Sequence, residues 1–303
     1  MTNFSGLVGD ENVFFEQYFN TRPMVRRRAL PDAADRVLSL SGIDRLVNLE
    51  GVRPPYISVA KDGRPVPPQA FTRATTVQGT FVPDAVVPGK VRELFDSGAT
   101  VTWVALNHVD PDVRDFCRMF SEAFATRCDG VVFLTPPDTQ GYQAHQDAVD
   151  VFVVQLEGRK HWRVWEDRSR GTGLCDVGTL GTPSLDVCLE PGDLLYIPHH
   201  TPHVAVAEEE TSLHLSVTVR PRTWRDLVLL SVHRLLDGAE FDTYPHVSSA
   251  DRDRVEKELT GKFEELARRL TQADPGAEIR HQVQVGRSLE GSSAVSLACG
   301  PTP

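Results

Sequence analysis

Two residues near the middle of the chain, His145 and Asp147, have the spacing of a pair that shares one metal ion. They stand in the segment GYQAHQDAVDVFVVQLEG, whose alternating and apolar character is typical of a strand. Residues two apart on a strand face the same side, so an imidazole nitrogen and a carboxylate oxygen could reach one ion. A third ligand from a distant strand would complete a facial triad with open positions, which suits non-haem Fe(II).

A second segment, PGDLLYIPHHTPHVAV, offers candidates for the third ligand. The PGD turn opens a strand that ends at Pro198, and a barrel could bring the following loop back to the HxD pair. Three histidines in this loop compete for the position, namely His199, His200 and His203. Residue type alone does not choose among them.

The elements around these residues are those of an antiparallel β-structure. Short apolar or alternating runs separated by Gly and Pro turns predict strands, and many such strands together indicate a sandwich or barrel. The predicted strands are 131–135, 149–156, 160–165, two strands within 185–197, and 211–219. The strands 149–156 and 160–165, joined by a turn at Glu157-Gly158, are predicted to pair as a hairpin.

Helices are predicted on both sides of these strands. A helix within 12–30 stops near Pro23 and gives way to a strand, and 111–128 is amphipathic with apolar residues at helical spacing. After Pro221 the pattern is helical again: Thr223 can cap a helix over 224–237, and a second helix runs from about 250 to 272.

Composition narrows the class of protein. The chain has 303 residues and a formal net charge of −10, which argues against nucleic-acid binding through surface charge. It has five widely spaced cysteines without a CxxC motif, no apolar run long enough to span a membrane, and no signal peptide at the N-terminus. A cytoplasmic protein with no membrane partner is the expectation.

The three parts of this pattern, in this order, resemble the JmjC-type oxygenases, most closely the ribosomal oxygenase branch. The family pattern is HxD, then xxVFxxQxxGxxxWR, then PGDxLYxPxxxxH, and residues from about 100 to 220 carry all three. The resemblance implies a mainly β fold, a double-stranded β-helix of the cupin or jelly-roll type, with flanking helices. It implies Fe(II) held by His145, Asp147 and His203, because His203 stands five residues past Pro198.

The resemblance also implies 2-oxoglutarate as cosubstrate, with Lys160 pairing with its distal carboxylate. Without the family match, Lys160 would be read as an ordinary lysine at a strand edge. Neighbouring Arg159 is the alternative cation, although it should face the other side of the strand. His214, Thr135 and Ser216 are the other residues expected at the cosubstrate, and Gln140, Phe133 and His200 are expected at the substrate pocket.

The chain departs from the family in two places. The branch often has Asn and Tyr in the strand before TP, where this chain has Val131 and Phe133. The family has a helical dimerisation region and then a winged-helix domain, and fewer than thirty residues follow Pro275. The expected organisation is therefore an oxygenase domain over 1–222 with its barrel at about 100–220, a helical, dimer-forming region over 223–275, and a poorly ordered tail over 276–303.

The function implied is hydroxylation of a side chain in a protein or peptide, using O2 and releasing succinate and CO2. Demethylation of an N-methyl group would need the same first step. Two alternatives stay open on the sequence: hydroxylation of a free amino acid or other small molecule, and a metal-binding cupin without oxygenase turnover. A homodimer through 223–272 is also expected.

Overall fold

The structure is a computed structural model that describes residues 3–49, 51–166, 168, 171–220, 222–238, 240–245 and 252–289. The chain divides after Arg220 into two compact units. The first unit contains all the described strands and the second contains helices.

The described strands of the first unit are short and joined by tight turns. In chain order they are β1 (Met24–Arg26), β2 (Ile57–Lys61), β3 (Arg64–Pro65), β4 (Thr72–Val77), β5 (Thr80–Val86), β6 (Thr100–Trp103), β7 (Cys128–Thr135), β8 (His145–Gln146), β9 (Asp150–Glu157), β10 (Lys160–Val164), β11 (Gly173–Leu174), β12 (Leu185–Leu189), β13 (Leu194–Ile197), β14 (His203–Ala207) and β15 (Ser212–Val219).

The helices precede, interrupt and follow these strands. They are α1 (Phe4–Val8), α2 (Glu11–Gln17), α3 (Ala33–Arg36), α4 (Leu40–Val47), α5 (Pro88–Asp96), α6 (Pro111–Phe124), α7 (Trp224–Leu235), α8 (Arg252–Gln272) and α9 (Pro275–Leu289), with short 3₁₀ turns at Pro68–Ala70, Leu106–His108 and Val177–Thr179.

Two antiparallel sheets face each other in the first unit. The large sheet has the order β1-β13-β9-β15-β7-β6-β2-β3, and the small sheet has the order β11-β8-β14-β10-β12. β4 and β5 form a separate two-stranded sheet. The prediction of a mainly β structure with flanking helices is confirmed.

Strand β9 is buried on both faces, which explains its nearly continuous apolar sequence. Phe152 and Val154 point to a core shared with the helices, in which the rings of Phe152 and Phe120 lie 5.0 Å apart. Val153 points the other way and packs with Trp162 of the small sheet. The large sheet therefore carries helices on one face and the small sheet on the other.

The predicted hairpin of 149–156 with 160–165 is wrong. β9 pairs with β13 and β15 in the large sheet, whereas β10 pairs with β12 and β14 in the small sheet. The turn at Gly158 thus carries the chain from one sheet to the other instead of reversing it within one sheet. Sequence patterning detects a turn between two strands but does not record which sheet each strand joins.

The second unit begins with a capped helix. The Thr223 hydroxyl accepts from the Asp226 backbone N–H, and the Asp226 carboxylate accepts from the Thr223 backbone N–H, so α7 starts with the predicted capping box. The helix predicted over about 250–272 is present as α8. No helix in the described part of the chain is both long enough and apolar enough to cross a membrane.

The prediction of a poorly ordered tail over 276–303 is wrong for its first part, because Pro275–Leu289 form α9. Pro275 is suited to a first helical position, and the Asp274 carboxylate accepts from the Gly276 N–H at 2.9 Å. Glu278 is buried and forms an ion pair with Arg234 of α7. The remainder of the predicted tail, from residue 290, lies outside the described residues.

The crossing at Gly158 depends on the absence of a side chain. Its φ is +64°, and an added Cβ would lie 2.1 Å from the Thr211 carbonyl oxygen. Gly79 has a similar φ of +80°, but its Cβ would meet no atom of the described residues within 4 Å. An added side chain would therefore strain the backbone at both positions, but it would collide with a neighbouring backbone atom only at Gly158.

We expect Gly79→Ala to lower the free energy of unfolding by about 1–2 kcal/mol through positive-φ strain alone. Gly158→Ala should lower the free energy of unfolding by about 1–3 kcal/mol more, because the backbone at Thr211, just before β15, must also move. Urea unfolding of both variants measures the difference, and equal losses would contradict a close approach at Gly158.

Candidate metal centre

A cavity of about 300 Å³ lies between the two sheets. The large sheet supplies one wall, and β8, β10 and β14 of the small sheet supply the other. Most of the lining is apolar, and the polar groups are concentrated at a few positions. The lining residues are Ser58, Thr102, Val104, Val131, Phe133, Gly141, Tyr142, His145, Asp147, Val149, Val151, Lys160, Trp162, His203, Ala205, His214, Ser216 and Thr218.

Three of the lining residues, His145, Asp147 and His203, form a compact group of metal-binding atoms. β14 pairs with β8 at His203 and His145, which sets the two imidazoles side by side with ring centroids 4.4 Å apart. Asp147 Oδ2 lies 3.8 Å from His145 Nε2 and 3.7 Å from His203 Nε2. Metal–ligand bonds of about 2.1 Å would place such atoms about 3.0–3.4 Å apart, so small side-chain rotations bring all three onto one ion.

The backbone fixes which imidazole nitrogens face the cavity. His145 Nδ1 lies 2.8 Å from the Gln143 carbonyl oxygen, and His203 Nδ1 lies 2.9 Å from the Thr201 carbonyl oxygen. A carbonyl only accepts, so each Nδ1 carries a proton and each Nε2 presents a lone pair. Metal-binding histidines usually donate their other ring N–H to a carbonyl or carboxylate oxygen in this way.

The loop before β14 also positions Asp147, the carboxylate ligand. The His200 backbone N–H donates to the Asp147 carbonyl oxygen at 2.6 Å, tying the chain after β8 to the chain before β14.

Burial keeps His203 neutral. Desolvation, followed by the neighbouring His145, lowers the pKa of His203 to about 4, although Asp147 acts in the opposite direction. A histidine with this pKa is unprotonated at neutral pH and needs no proton loss to bind a cation. The two histidines and one carboxylate, with open space on the cavity side, match the donor set that non-haem Fe(II) takes.

A buried cation stands at the other end of the cavity. Lys160 is 3% exposed, and its Nζ donates to Thr135 Oγ1 at 2.9 Å. Thr135 in turn accepts from Thr100 Oγ1 at 3.2 Å. Burial lowers the pKa of Lys160 to about 7. Among the described residues no carboxylate forms an ion pair with it, so an anion that enters the cavity would supply the missing counter-charge.

Two buried nitrogens between these ends have no hydrogen-bond partner among the described residues. They are Nδ1 of His214 and Nε1 of Trp162. His214 stacks on Phe133 with ring centroids 4.7 Å apart, and burial and the nearby Lys160 lower its pKa well below the ordinary value. Buried polar atoms without partners are rare in proteins, so these two mark a place where a polar ligand fits.

The structure separates the predicted site residues into two groups. Lys160, His214, Ser216 and Phe133 line the cavity together with the three metal-binding residues, and Thr135 lies behind Lys160. Gln140 and His200 are absent from the lining. Gln140 donates to the Tyr142 carbonyl oxygen, and His200 Nδ1 lies 2.8 Å from the Gly171 carbonyl oxygen.

Thr102 and Tyr142 are among the polar residues of the cavity that sequence reasoning missed. Their hydroxyls lie 3.0 Å apart, on the wall where Val131 and Phe133 present no polar group. Tyr142 stands three residues before His145, a position close enough to the HxD pair to have been considered. Thr102 lies on β6, about forty residues earlier, and only the pairing of β6 with β7 brings it to the site.

Comparison with known proteins identifies the domain around this cavity. The JmjC domain family matches residues 107–227. The chain is 31% identical over 220 residues to the bifunctional lysine-specific demethylase and histidyl-hydroxylase NO66 of Drosophila yakuba, covering 69% of this chain and 30% of that protein. It is 29% identical over 235 residues to ribosomal oxygenase 1 of Danio rerio, covering 75% and 42%. The chain thus spans about a third of the length of the relatives it matches.

Solved structures share the fold. The ribosomal oxygenase YcfD of Escherichia coli in complex with cobalt and 2-oxoglutarate aligns with a TM-score of 0.54 and 21% identity, over 84% of this chain and 67% of that one. Another structure of E. coli YcfD aligns with a TM-score of 0.57 and 20% identity, over 98% and 75%. The predicted double-stranded β-helix is therefore confirmed, and residues 107–227 are identified as a JmjC domain, with ribosomal oxygenases among the proteins that the chain resembles.

Proposed function

We propose that this protein is an Fe(II)- and 2-oxoglutarate-dependent dioxygenase that hydroxylates a side chain of a protein or peptide. The observation that carries the proposal is the pairing of two features in one cavity. The His145, Asp147 and His203 triad stands at one end, and at the other end Lys160 is buried and pairs with no carboxylate of the described residues. The names of the relatives, which include hydroxylase and oxygenase, support the same chemistry.

The triad would hold Fe(II) through His145 Nε2, His203 Nε2 and an Asp147 carboxylate oxygen. With 2-oxoglutarate and O2, bound iron supplies the oxidising chemistry: a C–H bond becomes C–OH while the cosubstrate is converted to succinate and CO2. The chain's own contribution is to hold and orient the reactants. The Gln143 and Thr201 carbonyl oxygens keep the two imidazoles aimed at one point.

Lys160 would bind the distal carboxylate of 2-oxoglutarate, assisted by Thr135. A buried ammonium interacts more strongly with a carboxylate than an ammonium in water does, because water does not compete for either charge. His214 and Ser216 line the space between Lys160 and the triad, where Nδ1 of His214 has no partner among the described residues. We place the cosubstrate in this space.

We also propose that the helical unit mediates self-association. Its helices expose large apolar side chains, among them Trp224 at 83%, Leu229 at 59% and Phe263 at 62%. Apolar faces of this extent in helices α7 and α8 are typical of a subunit interface.

The first test loads the metal centre. We expect anaerobic addition of Fe(II) and 2-oxoglutarate to the wild-type chain to produce a weak visible charge-transfer band. His203→Ala and Asp147→Ala should abolish it, because each removes one of three ligands. His200→Ala is the matched control, since its side chain lies outside the cavity, and it should keep the band.

Aerobic turnover of the loaded protein separates the alternatives. A wild-type protein that shows no band and releases no succinate would contradict the oxygenase proposal and leave a metal-binding cupin. A one-oxygen mass gain on peptides indicates a protein substrate, whereas a gain on a free amino acid alone indicates a small-molecule hydroxylase. Loss of a methyl group with formaldehyde release would indicate demethylation.

The second test uses the titration of Lys160. Its pKa is about 7 in the free protein, and a bound carboxylate raises that pKa, so binding takes up a proton at pH above 7. We expect 2-oxoglutarate affinity for the Mn(II)-loaded protein to fall as pH rises from 7, approaching about tenfold per pH unit. Calorimetry in buffers of different ionisation enthalpy measures both the affinity and the proton uptake.

Lys160→Met should weaken 2-oxoglutarate binding by about 10–150-fold and remove the pH dependence. Arg159→Met is the control, because Arg159 lies on the outer face near Glu210 and should leave both unchanged. An unaltered pH dependence in Lys160→Met would show that another group binds the distal carboxylate.

The third test concerns the helical unit. We expect light scattering after size exclusion to give a dimer for the wild-type chain and a shift toward monomer for Phe263→Glu. Phe81→Glu is the matched control, because Phe81 is equally exposed at 68% but lies on the β4–β5 sheet. A wild-type monomer at high concentration would contradict self-association.

A further inference from the structure

The part of the cavity beyond the triad, away from Lys160, differs in character from the rest. Along β15 the paired residues run from Ser212 beside Thr135, through His214 beside Phe133, to Ser216 beside Val131. The next inward-facing residue, Thr218, pairs with Val151 of β9. The cavity therefore passes from the Lys160 end to an end bordered by Val131 and Val151.

Four valines form this end of the cavity. Val104, Val131, Val149 and Val151, which we call the valine wall, come from the large sheet: Val131 lies on β7, Val104 follows the adjacent β6, and Val149 and Val151 lie just before and at the start of β9, on the other side of β15. The polar groups beside them are the hydroxyls of Thr218 and of Ser216, which stands at the border with the proposed cosubstrate space. Apart from the metal-binding residues, none of the described residues lining this end carries a charge.

The nearest charged residue along β7 is already neutralised. Asp129 lies two residues before Val131 on the same face of the strand, but it does not line the cavity. Its carboxylate accepts from Arg127 at 3.3 Å and from Asn107 at 3.3 Å. A guanidinium or ammonium at the valine wall would therefore have to share this carboxylate with Arg127.

Desolvation then decides which side chains the wall accepts. A charged group that leaves water without a partner loses several kcal/mol, whereas an aliphatic group gains about 0.8 kcal/mol for each buried methylene. The cavity volume of about 300 Å³ is at the small end of ligand sites and must also hold the cosubstrate. The remaining space suits one compact side chain.

We infer that the valine wall is the acceptor site and that it selects an uncharged aliphatic side chain, of the valine, leucine or isoleucine class, for presentation to the metal. This inference rests on the proposed function, since it assumes that the triad holds the metal and that Lys160 holds the cosubstrate. Val131 is the specificity-determining residue, because it pairs with Ser216 and stands two residues from Phe133 on the same face of β7, where the wall meets the rest of the cavity.

Paramagnetic relaxation tests this inference without turnover. The full chain is loaded with Mn(II) and 2-oxoglutarate, and two soluble probes are compared: 4-methylpentanamide, which carries an isobutyl group, and n-butylguanidinium. Mn(II) at the triad relaxes the protons of any probe bound beside it. We expect the Mn(II)-induced increase in relaxation rate to be about tenfold greater for the isobutyl protons than for the butyl protons of the guanidinium probe.

A substitution that reverses the selection supplies the second measurement. Val131→Asp adds a carboxylate to the wall, and the partly exposed position tolerates it better than a core position would. It should lower the enhancement of the isobutyl probe and raise that of the guanidinium probe, and a folding defect cannot produce such opposite changes. Val77→Asp on the β4–β5 sheet makes the same chemical change outside the cavity and should leave the ratio as in the wild type.

The outcomes distinguish the two proposals. Water-proton relaxation reports Mn(II) binding and its change on adding 2-oxoglutarate; if neither occurs, the proposed function fails, and with it this inference. If both occur but the guanidinium probe is favoured, or neither probe is relaxed more than with His203→Ala, only the inference is overturned. The wild-type ratio decides this even if Val131→Asp does not fold.

Discussion

The packing of the small sheet against the large sheet is the constraint on which the rest of the structure depends. Val153 of β9 and Trp162 of β10 meet in the apolar layer between the sheets, and every ligand-binding feature lies beside that layer. The layer is possible because the chain crosses between sheets at Gly158 instead of turning back on itself. Closely packed interiors tolerate little displacement, so the two walls of the cavity keep a fixed separation.

That separation gives the cavity three chemically distinct parts. The buried Lys160 provides a positive charge, the triad provides three lone-pair donors, and the valine wall provides an apolar surface. The order matters because each part excludes what the others attract: a dicarboxylate has no partner at the wall, and an aliphatic group gains nothing from Lys160. The proposed cosubstrate site and the proposed acceptor site thus lie on opposite sides of the metal-binding residues.

The positions of these groups depend on backbone hydrogen bonds more than on the side chains themselves. The two imidazoles are oriented by carbonyl oxygens two residues earlier in the chain, and the His200 N–H closes the loop onto the Asp147 carbonyl. His200 thus contributes through its backbone, although its side chain points to Gly171.

The sequence by itself determined the β-rich fold class and two of the candidate metal ligands, because strand periodicity, turn residues and the HxD pair are local patterns, whereas 2-oxoglutarate and the role of Lys160 were implied only by the resemblance. It also set three histidines in one loop as candidates for the third ligand, and a resemblance was needed to choose His203. Tertiary structure decided the rest: that β9 and β10 join different sheets, that Thr102 and Tyr142 meet in the cavity, and that Gln140 does not enter it. These depend on which strands pair across long stretches of chain, and the free energy of such pairing comes from packing partners that no short segment contains.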